Sequence, residues 1–135
     1  MKNIVQHVLF TVLVMFNISA TAACLKEGDR VSFSGVLKKE MFYGPPGWGE
    51  NPETDEKVYD WFLYPDKPLT CVTGAETRDS PNWNKSMQID LIDSDKIDSR
   101  YLNHHVTIDG RIELAATAND NSPVLLTDIS GIHDN

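Results

Sequence analysis

Alternation of apolar and polar positions runs through most of the chain. Over residues 29–38, Val31, Phe33 and Leu37 share one parity and Ser32 and Ser34 the other, the period of a half-buried strand. Gly35 interrupts it and predicts a bulge or tight bend, as where a strand curls into a small barrel; the strand can extend to Phe42. Residues 44–57 carry Gly44, Pro45, Pro46, Gly47, Gly49 and Pro52, a density of turn formers that predicts a long loop. Such loops are uncommon in small domains unless they bind something or are disordered. The burial-prone Trp48 predicts an ordered one.

Residues 58–64 and 69–72, rich in aromatic and β-branched side chains and separated by Pro65 and Pro68, predict a strand, a kink and a short continuation. A polar loop over 74–85 leads to a strand over 87–92, where Met87, Ile89 and Leu91 alternate with Gln88 and Asp90. Ser94 or Asp95 is placed to cap a helix over 93–103 that carries Ile97, Tyr101 and Leu102 at helical spacing. Strands over 105–115 and 124–129 follow, separated by the turn-rich residues 119–123. Three strands, one short helix and two strands are the order of a mainly β, five-stranded OB-like Greek-key barrel, with the helix between the third and fourth strands. A β-sandwich is the alternative.

At the start the pattern differs. Lys2 is the only charge before Lys26, an apolar run spans 8–16, and Ser19, Ala20, Thr21, Ala22 and Ala23 follow. This is the layout of a secretory signal peptide over 1–23, with an apolar core short of the ~20 residues that span a bilayer. Residues 24–135 are then one exported domain, periplasmic or secreted and free of the membrane after cleavage, as the length of 135 residues suits.

Composition sharpens this. Removing Lys2 from 12 basic side chains leaves 11 against 20 acidic ones, a net charge of −9. A surface of that sign repels nucleic acid and anionic lipid, and favours a cationic protein or peptide. The only two cysteines are Cys24 and Cys71. In an oxidising compartment they most simply form one disulfide; lipidation of Cys24 is the competing reading.

Candidate chemistry concentrates near the long loop. Glu50, Glu53, Asp55, Glu56 and Asp60 could hold calcium through oxygen ligands or receive a basic partner, but solvated loop acids explain them more simply. Tyr43, Trp48, Tyr59, Trp61 and Tyr64 flank the same loop. Alternate residues of a half-buried strand fill the core, so Tyr43 and Trp48 are the two expected at the surface. His104 and His105 are adjacent and point to opposite faces of a strand, so with His133 they predict no metal site. Nucleophile-elbow, zinc-protease, phosphate-loop and CxxC motifs are absent, and no cofactor is expected.

Gly35, Leu37, Phe42, Gly44, Pro45, Pro46, Gly49, Glu50, Pro52 and Asp55, followed by Leu63, Pro65 and the segment Pro123, Val124, Leu125, Leu126, carry a resemblance. Together they resemble the exported bacterial domains grouped as domain of unknown function 4431, over nearly all of residues 24–135. That resemblance implies export and a shared fold, and brings no assigned activity with it. Where the family pattern is histidine-rich, before the Pro-Val segment, this chain has Ala118, Asn119, Asp120, Asn121 and Ser122.

The expected function is therefore a monomeric, non-catalytic binding module. Its contact residues are Tyr43, Trp48, Glu50, Glu53 and Asp55, and Cys24 and Cys71 staple it. The alternative is an inhibitor or immunity protein that neutralises a cationic hydrolase or toxin. A small metal-dependent hydrolase ranks behind both.

Overall fold

The computed structural model describes residues 23–135; the expected export segment lies outside them except for Ala23. The chain is mainly β. Five strands, β1 (Arg30–Tyr43), β2 (Lys57–Pro65), β3 (Met87–Ile89), β4 (His105–Leu114) and β5 (Val124–Asp134), form one sheet, with a short helix α1 (Leu91–Ser94) after β3. The sheet closes on itself in the order β1-β2-β3-β5-β4. Every ladder is antiparallel except β3 with β5.

Closure depends on β1, which is long enough to serve two neighbours. Its first half pairs with β4 from Arg30 to Val36, and its second half pairs with β2 from Gly35 to Tyr43. Gly35 sits where the two ladders overlap, opposite both Pro65 and Val106. A Cβ built there would lie 2.1 Å from the Tyr64 carbonyl oxygen and 2.7 Å from Pro65 Cα. The interruption visible in the sequence is the corner of the sheet, where two backbones approach too closely for any side chain.

Side chains of one parity fill the interior: Leu37 of β1, Trp61 and Leu63 of β2, Met87 and Ile89 of β3, Val106, Ile108 and Ile112 of β4, and Val124 and Leu126 of β5. Ile97 and Tyr101 join this cluster from the segment between β3 and β4. Phe62 and Leu125 are just as buried but stand outside the cluster. Strand alternation turns them to the outer surface of the sheet, where Phe62 packs on Phe42 with ring centroids 5.6 Å apart.

Four boundaries differ from the sequence expectation, the first being the last strand, expected over 124–129, which runs on to Asp134 along β4. The helix expected over 93–103 is instead α1, capped by Asp90, whose side chain accepts from the Ile92 N–H, and a separate 3₁₀ turn at Ser99–Tyr101 capped by Asp98. Neither Ser94 nor Asp95 is the N-cap of α1; Ser94 is its last residue and Asp95 its C-cap. Successive aspartates each satisfy backbone donors locally, which favours short capped turns over one continuous helix. For the same reason the strand expected over 87–92 ends at Ile89: Asp90 leaves the ladder to cap α1. Residues 69–72 form no strand and contribute only an isolated bridge between Leu25 and Val72. Beside that bridge Cys24 and Cys71 are disulfide-bonded, with Cα atoms 4.8 Å apart. Among the described residues no helix is long and apolar enough to cross a membrane.

Candidate functional site

β1 and β2 are the two arms of a hairpin, and residues 44–56 are its tip. The tip is ordered from inside. Asp55 is only 6% exposed: Oδ1 accepts from the Gly47 N–H at 2.8 Å, and Oδ2 from the N–H groups of Gly49 and Asn51 at 2.8 and 3.0 Å. Backbone bonds close the frame, from Gly44 N–H to the Glu56 carbonyl, Glu56 N–H to Pro45 and Trp48 N–H to Gly44. A Cβ on Gly47 would meet the Asp55 carboxylate at 2.8 Å, and Gly49 has φ +98°, so the glycines let the backbone wrap one carboxylate. Burial pushes the Asp55 pKa up, but the donors from Asn51, Gly49 and Gly47 outweigh it and hold the carboxyl below its ordinary value.

The sign of that shift sets a pH expectation. A depressed folded-state pKa contributes stability present above the unfolded value, about 4, and lost as pH falls through the lower folded value. The loop is therefore expected to keep its frame down through mildly acidic pH. Asp55→Asn removes the charge and leaves one of the amide donors facing an N–H₂ group. It is expected to open the loop to a glutamate-specific protease after the exposed Glu50 and Glu53, at neutral pH and without loss of the barrel. Mapping the cleavage products checks this, and equal resistance in wild type and variant would remove Asp55 as the organiser.

The frame holds Trp48 outward. Its φ of 53° lies in the left-handed region, a conformation that costs a bulky residue roughly 1–3 kcal/mol and persists only where surroundings impose it. The side chain is 50% exposed. Tyr43 is half-buried and packs against Gly49. Glu50 and Glu53 are exposed on the loop. Of the five residues expected to make contacts, Trp48, Glu50 and Glu53 are exposed and Tyr43 is half-buried, whereas Asp55 is turned inward as the loop's organiser. The carboxylates of Glu50, Glu53, Asp55, Glu56 and Asp60 do not converge: Asp55 is enclosed by backbone N–H groups and Asp60 lies back on β2.

Sequence reasoning missed several groups. Met41 and Tyr59 are cross-strand partners at the outer end of the hairpin, 40% and 59% exposed. They follow the core-facing parity but lie beyond the barrel, and only the strand register reveals this. Trp61, with the same parity, is buried. Trp83, from the polar 74–85 loop, joins Phe42, Phe62, Glu40 and residues 121–123 around an outer-surface hollow of about 210 Å³.

Asp60 is the second buried carboxylate here, directly across from Glu40. Its Oδ2 accepts from Asn121 Nδ2 at 3.0 Å and Gln88 Nε2 at 3.3 Å. Burial raises its pKa, offset only in part by the Asn121 hydrogen bond. Burial likewise raises the pKa of Glu40, against the pull of Lys38; Glu40 accepts from the Tyr64 hydroxyl.

The histidines take separate partners, His104 with Asp134, His105 with Asp66 and His133 with Asp109. Among the described residues no three His, Cys, Asp or Glu side chains cluster so as to hold a metal ion. No family model, curated protein or solved structure matches the chain.

Proposed function

We propose that the protein is a non-catalytic binding module of OB type, exported to the periplasm or beyond, whose 44–56 loop and adjoining hairpin face contact a cationic protein or peptide. The strand order, with β3 and β5 in parallel, supports the OB-type reading. The disulfide is compatible with an oxidising compartment. The resemblance to the domain of unknown function 4431 family belongs to the same proposal. One observation carries it: a tryptophan kept half exposed in a strained backbone conformation, at the tip of a loop built around one buried carboxylate. Pre-ordered aromatic anchors of this kind lower the entropy cost of binding.

The partner's sign follows from charge. The domain carries an excess of acids, and Glu50 and Glu53 follow Trp48 on the same loop. An inhibitor of a basic hydrolase is a specific case of the same reading, in which electrostatic steering speeds association. The experiment is calorimetric titration against a basic protein such as lysozyme, at low and high salt. Wild type is expected to bind, more weakly as salt rises, and Trp48→Ala to lose about tenfold or more in affinity. Binding that Trp48→Ala leaves unchanged would remove the loop from the function.

A further inference from the structure

We propose that the cavity beneath Trp48 is a socket for the ammonium group of a lysine side chain on a basic polypeptide partner, with Asp60 Oδ1 as its acceptor. The inference rests on the binding reading above and adds which group enters.

Asp60 is 2% exposed, and both hydrogen bonds that it accepts go to Oδ2. Oδ1 accepts none among the described residues. No fully enclosed side-chain oxygen or nitrogen of those residues lacks a partner, so Oδ1 is the atom left accessible, and the cavity that Asp60 lines is the opening it meets. This accessible edge of an otherwise buried carboxylate offers lone pairs that no donor of the described residues takes, and a cationic donor supplied by a partner would meet it in a charge-assisted hydrogen bond.

Size and walls select the donor. The cavity holds about 30 Å³, between Phe42, Tyr43, Trp48, Leu91 and Asn121, against the roughly 10–15 Å³ needed by one water. An ammonium head with its last methylene fits. The guanidinium of arginine brings five donors, which would find one free acceptor. Trp48, Tyr43 and Leu91 line the way in with apolar surface suited to the methylene stem of lysine, and the aromatic faces favour a cation. An anionic group would meet a like charge. Larger hollows beside Asp66 and beside Arg100 differ, because the acid facing the first already binds His105 and the cations of the second, Lys96 and Arg100, already bind Asp93 and Tyr101.

The test is calorimetric titration of the protein with tetralysine and with tetraarginine. Wild type is expected to bind tetralysine about tenfold more tightly. Asp60→Asn keeps an acceptor for Asn121 and Gln88 and removes the buried charge, so it is expected to fold and to lose the preference for lysine. Asp128→Asn removes one exposed carboxylate on β5 and is expected to keep that preference. Equal affinity of wild type for the two peptides, no binding of tetralysine, or an intact lysine preference in Asp60→Asn would each overturn the socket. Trp48→Ala separates the two readings: if it weakens both peptides while Asp60→Asn changes nothing, the socket fails and the loop surface stands. If it changes neither peptide while Asp60→Asn loses the preference, the loop surface fails and Asp60 stands as the lysine acceptor without Trp48 as a wall.

Discussion

Gly35→Ala is expected to destabilise the protein by on the order of 4 kcal/mol, in the range reserved for disrupted backbone packing rather than ordinary core trimming. The added methyl carbon would sit 2.1 Å from the Tyr64 carbonyl oxygen and 2.7 Å from the carbonyl carbon behind it. Both are backbone atoms, so no rotamer change relieves the contact. Either β1 and β2 separate, with loss of ladder bonds around Pro65, or β1 shifts against β4 at Val106. Urea unfolding monitored by circular dichroism measures the loss. A change under about 1 kcal/mol would mean that the sheet corner does not need the close approach assigned to it.

Breaking the Cys24–Cys71 bond is expected to rank second. The sequence separation is 47, and loop-closure entropy in the unfolded chain gives a crosslink of that span about 4 kcal/mol. For a domain of this size that is a large share of total stability and lowers the melting temperature by roughly 15 °C or more. The bond also ties the segment before β1 to the 69–72 segment, where Leu25 N–H donates to the Cys71 carbonyl and Thr73 N–H to that of Leu25. Calorimetry of the Cys24→Ser, Cys71→Ser double variant, beside reduced wild type, checks the figure. A loss under about 1 kcal/mol would show that the parallel bridge holds without sulfur.

Asp60 has the opposite linkage to Asp55. Its folded-state pKa is raised, so its protonation contributes stability fully present below about pH 4 and lost as pH rises through the folded value. At neutral pH the ionised group is a burden, and Asp60→Asn is expected to melt no lower than wild type there. A lower melting point at neutral pH would place the charge among the groups that hold the fold. A side chain that weakens the fold beside an exposed tryptophan is the pattern expected where recognition, not stability, keeps it in place.

Aromatic and β-branched content located β2 and a turn-rich flank located β5, whereas period-two alternation located β1 and β4, each with one face on the continuous core. It overran β3: Met87, Gln88 and Ile89 are all buried, so no polar face marks the strand's end, and the signal that ends it is the cap at Asp90. The 93–103 segment misled because Ile97 and Tyr101 do point inward at helical spacing, yet aspartate caps divide the backbone that carries them. In the candidate site, the glycines and prolines announced the loop and Trp48 its exposed tip. The inward turn of Asp55 was not legible, since an acid that caps backbone donors and an acid that meets solvent look alike without the fold. Nor was Asp60, whose burial depends on Gln88 and Asn121 arriving from distant parts of the chain.

The central claim is that the 44–56 loop is built before any partner arrives. Amide hydrogen exchange of Gly47, Gly49 and Asn51 in the free protein reads it directly, because these three N–H groups are the ones that Asp55 binds. Slow exchange at all three, comparable to the paired amides of β1, is the predicted result. Exchange at the rate of an unstructured peptide would contradict it.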